Sequence, residues 1–152
     1  MSQRKKRLKK LIELRENEVE QRLVRLAEQR AAEDRAQKAL LLQVEEEKKA
    51  EERRLSAIST AFDVKSLNQE NDWLVTCGRR RELAEREVVK ARRAVADAQN
   101  QVLKAKNELK KIELLAQRVE AEDKVRAERT EQRFSDELAA LRSATEKRRE
   151  DS

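Results

Sequence analysis

Between residues 84 and 119, apolar side chains recur in alternating steps of four and three: Ala84, Val88, Ala91, Val95, Ala98, Val102, Ala105, Leu109, Ile112, Ala116 and Val119. Such steps hold one stripe of a helix against a partner helix, the heptad seam of a coiled coil. No polar side chain interrupts these eleven positions. Four of them, alanines 84, 91, 98 and 105, share one heptad position, where a partner helix can approach closely. Leu74 and Cys77 keep the register upstream, with Arg81 as a break. Downstream, Asp123, Arg126, Thr130 and Arg133 lose the seam, and Phe134, Leu138 and Leu141 resume it displaced by one residue.

A seam needs a partner, and the rest of the chain supplies a second helix. The 152 residues include no proline and one glycine, and 45% of side chains are charged. High charge with abundant Pro, Gly and Ser marks disorder. Here Ala, Leu, Glu, Lys, Arg and Gln dominate, and these are strong helix formers. The aromatic residues are only Phe62, Trp73 and Phe134, too few to organise a globular core. The expected fold is all-α, a long antiparallel two-helix coiled-coil hairpin in a single domain spanning residues 1–152.

Helix one is expected from about residue 3 to about 62. Leu8, Leu26, Val44 and Phe62 lie 18 residues apart, five turns at 3.6 residues per turn. Ile12, Val19, Leu23, Leu40, Leu55 and Ile58 flank that line, which weakens between Glu28 and Lys38. The bend is expected over residues 63–72, where Ser66 and Gln69 match a capping box and Asn68, Asn71 and Asp72 are alternative caps. Gly78 offers a second break, and helix two is expected from about 73 to about 149. Folding back near residue 66 sets Ile58 by Leu74, Leu26 by Ala105 and Ile12 by Val119. Residues beyond about 130 then overhang.

The longest apolar run, residues 39–42, is far short of the roughly 20 residues that span a bilayer. The basic start, Arg4, Lys5, Lys6, Arg7, Lys9 and Lys10, leads into no apolar signal-peptide core. With Cys77 as the one cysteine, the chain reads as cytoplasmic and free of structural disulfides. There is no histidine, and the cysteine and glycine counts exclude Cys-rich zinc sites and glycine-rich phosphate loops. Carboxylates on a two-helix coiled coil face water, with no pocket to perturb them. No enzyme activity, cofactor or metal is expected.

Three features carry two readings each. Cys77 is a small seam residue or a redox-sensitive thiol. The basic start is a solvated helix end or a contact for phosphates or acidic lipid; no aromatics interleave for base stacking, so nucleic acid is not an expected partner. Trp73 is a hydrophobe packed under the bend or a binding anchor.

The basic run leading into Leu8, Leu11, Ile12, Leu14, Arg15 and Glu16 resembles the opening of the FliJ/YscO-like family, the central-stalk proteins of type III secretion. The lone hairpin, the Trp close to the bend and the long charged second helix extend the resemblance over the whole chain. Gly78 and the basic Lys147, Arg148 and Arg149 near the end depart from it. The resemblance implies a cytoplasmic stalk at a membrane-embedded secretion apparatus, monomeric in isolation. It would link a hexameric secretion ATPase to the export-gate ring and stimulate ATP hydrolysis, with secretion chaperones as further partners and no insertion into the membrane.

On that reading the bend end, Phe62, Val64, Leu67, Trp73 and Leu74, faces the export gate. Residues 61–78 carry one basic against three acidic side chains. The terminal end, Arg4, Lys5, Lys6, Arg7, Phe134, Leu138, Leu141, Arg148 and Arg149, faces the ATPase. A coiled-coil scaffold or adaptor, possible as a parallel homodimer and without an ATPase partner, satisfies the same seam. A basic helical binder of nucleic acid or membrane surfaces is a third and weaker alternative.

Overall fold

The computed structural model describes residues 3–60 and 63–151. They form two helices, α1 (Gln3–Thr60) and α2 (Val64–Glu150), that pack against each other as a helical hairpin. Thr60 Oγ1 and Ser59 Oγ both donate to the Ser56 carbonyl, at 2.7 and 3.1 Å, and so occupy an acceptor in the last turn of α1. Asp63 starts α2. Its Oδ1 accepts the Lys65 N–H at 3.1 Å and its carbonyl accepts the Leu67 N–H at 3.0 Å.

The break therefore comes earlier than the 63–72 expected, and Ser66, Asn68, Gln69, Asn71 and Asp72 are all helical. Once Asp63 has nucleated the helix, each further residue adds a bond at little cost, so the later caps have no role. Gly78 is also helical, without a positive φ, and makes no second break. Phe62, the expected end of helix one, lies outside the described residues.

By contacts the chain divides into two compact units, one of Glu18–Ala105 and one of Met1–Asn17 with Lys106–Ser152. In the first, α2 buries Cys77, Val88, Val95, Ala98, Val102 and Ala105 and half-buries Ala84 and Ala91, so the apolar seam is the packed face. Leu26 of α1 sits in a cluster with Val95, Ala98 and Val102. The covered positions of α1 include 19, 22, 26, 29, 33, 36, 40, 43, 47, 50, 54 and 57, which keep a heptad rhythm, with 18, 32 and 37 partly covered beside them.

Many of those positions are polar (Arg22, Gln29, Glu33, Gln43, Glu47 and Arg54), so the rhythm is not an apolar pattern in the sequence. The 18-residue line expected on α1 is correspondingly corrected: Val44 is 43% exposed, and Leu23, Leu55 and Ile58 are exposed as well. The cause is the period. A seam repeating every 3.5 residues turns away from a line drawn at 3.6 by about 20° per heptad, hence by about 50° every 18 residues. Leu26 stays in the seam and Val44 has left it.

Three cross-helix pairs fix the register of this unit. Arg22 Nη1 donates to Gln101 Oε1 at 2.8 Å, Arg92 Nε lies 3.8 Å from Glu33 Oε1, and Arg81 bonds Glu47. Leu26 therefore meets Val95, Ala98 and Val102 where Ala105 was expected. Ala50, 1% exposed, is buried in this seam, and Ile58, expected beside Leu74, is exposed.

In the second unit, Leu8 and Ile12 of α1 and Leu109, Ile112 and Ala116 of α2 are half-buried, Val119 is buried, and Lys5 Nζ lies 4.0 Å from Asp123 Oδ2. From residue 124 to 151 every residue is exposed, so the overhang begins about six residues before the 130 expected. The physical reason is arithmetic: moving a turn by about three residues moves the partner of every α1 residue by about six.

Candidate functional site

Four surface depressions among the described residues are each lined by residues of a single helix. One such set is Glu82, Leu83, Glu85, Arg86, Glu87, Val89, Lys90 and Arg93 on the outer face of α2. A groove on one side of one helix leaves a small molecule open to water. Among the described residues, no group of three potential ligands converges to hold a metal ion, and no helix is long and apolar enough to cross a membrane. The residues expected to bind partners fall in two regions, one in each unit.

In the Glu18–Ala105 unit the region follows the break. Val64 is exposed in the first turn of α2, and Leu67, Trp73 and Leu74 are half-buried. Arg80, two turns on from Trp73, places its guanidinium carbon 5.2 Å from the centroid of the indole ring. This cation–π contact holds the indole against the helix while part of it stays accessible. Phe62, assigned to the same region, lies outside the described residues.

Next to it, Cys77 is fully buried in the seam, and burial pushes its thiol pKa up, with Arg80 opposing and Glu46 and Glu47 adding to the rise. Arg81 holds Glu47 across the helices and Glu85 Oε1 at 2.7 Å along its own helix, and these bonds raise its pKa further.

In the second unit the region is the start of α1 and the unpaired end of α2. Arg4, Lys6 and Arg7 are exposed, and Lys5 is drawn partly into the seam beside Asp123. Beyond Asp123, Phe134 is 63% exposed, Leu138 40% and Leu141 64%, with Arg148 and Arg149 exposed after them. A one-residue displacement on a helix is a rotation of about 100°, so this stripe faces away from the seam that α1 covers.

Arg80, Arg81 and Asp123 escaped the reading of site residues. Arg81 and Asp123 had shown only as polar interruptions of the seam, and their partners Glu47 and Lys5 follow from the register alone. The spacing of Trp73 and Arg80 by seven residues, two turns on one face, was the available signal for the third.

The fold defines a class: a two-helix coiled-coil hairpin. The model of the family described as the flagellar FliJ protein matches residues 4–148, nearly the whole chain, and the chain belongs to that family. No curated protein and no solved structure is significantly similar to it. The family is that of the flagellar and type III export apparatus, and membership implies contact with components of that apparatus.

Proposed function

We propose that this chain is the central stalk of a type III secretion ATPase complex. In this reading the unpaired end of α2, with the basic start of α1, enters a hexameric secretion ATPase and raises its turnover without contributing a catalytic residue. The region after the break, with Trp73 as its anchor, meets the export-gate ring at the cytoplasmic face of the membrane.

The observation that carries the reading is the extension: a run of exposed helix from 124 to 150 bearing Phe134, Leu138 and Leu141, in a chain of the FliJ family. A helix that buries nothing of its own is stabilised by a partner's surface, because an isolated helix draws little stability from propensity alone. Arg4, Lys6, Arg7 and Arg148 add a positive field that steers the end towards an acidic-lined pore, an attraction that salt weakens.

The test is ATP hydrolysis by the purified cognate ATPase with and without this chain. Stimulation by the full chain, lost on deleting residues 134–152 or on changing Leu138 and Leu141 to Asp, is the expected result. Full stimulation by the truncated chain would refute the assignment and favour a coiled-coil scaffold without an ATPase partner.

A further inference from the structure

The stripe on the extension has its own heptad rhythm. Glu131, Phe134, Leu138, Leu141, Thr145 and Arg148 follow steps of three and four, apolar in the middle and oppositely charged at the two ends. All six residues are exposed. The one-residue displacement turns this rhythm about 100° from the seam of α2, so a longer α1 would not cover it.

We infer that the extension pairs with the extension of a second copy of this chain, antiparallel and about a two-fold axis between Leu138 and Leu141. In that alignment Leu138 meets Leu141 of the second copy, Phe134 meets Thr145, and Glu131 meets Arg148, each layer occurring twice by symmetry. A parallel alignment in register sets Glu131 against Glu131 and Arg148 against Arg148, so like charges at both ends oppose it. The charge order along the stripe thus selects both the partner and its direction.

With three large apolar side chains per copy, the contact lies at the small end of specific interfaces and the dimer is weak. It forms at high concentration and leaves each hairpin, closed by its own seam, intact. Because it covers Phe134, Leu138 and Leu141, it also withholds from any other partner the surface that the stalk reading gives to the ATPase. The inference does not rest on that reading, since no ATPase is needed for the pairing.

The test is sedimentation of the full chain at low salt from about 5 µM to about 500 µM, a range that brackets weak association. The expected result is a weight-average mass that rises with concentration towards twice that of the monomer. Leu138→Asp, Glu131→Arg and Arg148→Glu should each keep the chain monomeric over the whole range. Combining Glu131→Arg with Arg148→Glu should restore the rise, because the exchanged charges again meet their opposites. All three substituted positions are exposed, and unchanged helicity by circular dichroism checks that the hairpin survives in each variant. A wild-type chain that stays monomeric throughout would overturn the inference. So would association that persists in the single variants, which places the contact elsewhere, or a double variant as monomeric as the singles.

Discussion

Arg81 of α2 occupies a position in the apolar seam and spends its guanidinium twice, on Glu47 of α1 and on Glu85 one turn further along its own helix. The first bond ties the two helices and the second engages the same guanidinium along α2. The register of this half of the seam follows from that pair and from Arg22–Gln101.

Replacing Arg81 with Ala is expected to lower the melting temperature of the hairpin, and Glu47→Ala to lower it by a similar amount. Because one ion pair is at stake, the double variant should lose less than the sum of the two single losses. Added salt should narrow the gap between wild type and the variants, since it screens a pair that water partly reaches. Thermal melts at two ionic strengths check this, and strictly additive losses would show that the pair is not coupled.

Leu26 packs against Ala98 between Val95 and Val102. Leu26→Ala empties that layer and is expected to cost about 2 kcal/mol or more, and Ala98→Leu alone overfills it at about 1–3 kcal/mol. Exchanging both, Leu26→Ala with Ala98→Leu, keeps the volume and should recover part of each loss. Urea unfolding of the three variants is the measurement. No recovery in the double variant would mean that the two side chains do not share a layer.

The raised pKa of Cys77 gives a pH dependence with a definite sign. The folded thiol holds its proton to higher pH than the unfolded one, whose ordinary value is about 8.5. Its contribution is therefore complete below that value and is lost as pH rises through the folded pKa, because the unfolded chain gives up its proton first. Melting temperature should fall more steeply above about pH 8.5 in wild type than in Cys77→Ala. Alkylation of the native protein at neutral pH should be slow, and become fast in urea.

Trp73 separates the stalk reading from a purely structural role for the region after the break. If the indole anchors the export gate, Trp73→Ala weakens that binding by about 2 kcal/mol, roughly thirtyfold in Kd, while helicity is retained. Arg80→Ala, which frees the ring it covers, should weaken binding less. Binding of the isolated gate domain measured by calorimetry distinguishes the cases. Unchanged affinity in a chain that melts earlier would make Trp73 structural.

The sequence by itself determined the helices and the face of α2 that packs. Without proline and with one glycine, nothing stops helix propagation except a cap, and the unbroken run from Ala84 to Val119 allows only one stripe to be buried. The exposed extension was legible for the same reason: the stripe of Phe134, Leu138 and Leu141 is out of phase with the seam. Tertiary structure alone decided which face of α1 answers. Arg22, Glu33 and Glu47 are covered there while Val44, Leu55 and Ile58 are not. Hydrophobicity does not select that face. A helix facing an alanine-rich seam must follow its 3.5-residue period wherever it leads, and long polar side chains at those positions lay their stems along the seam and carry their charges to its edge. The turn was decided in the same way. Asp63 caps α2 a few residues earlier than the local signals of Ser66 and Gln69 suggest, and every pairing along the two helices shifts by twice that distance.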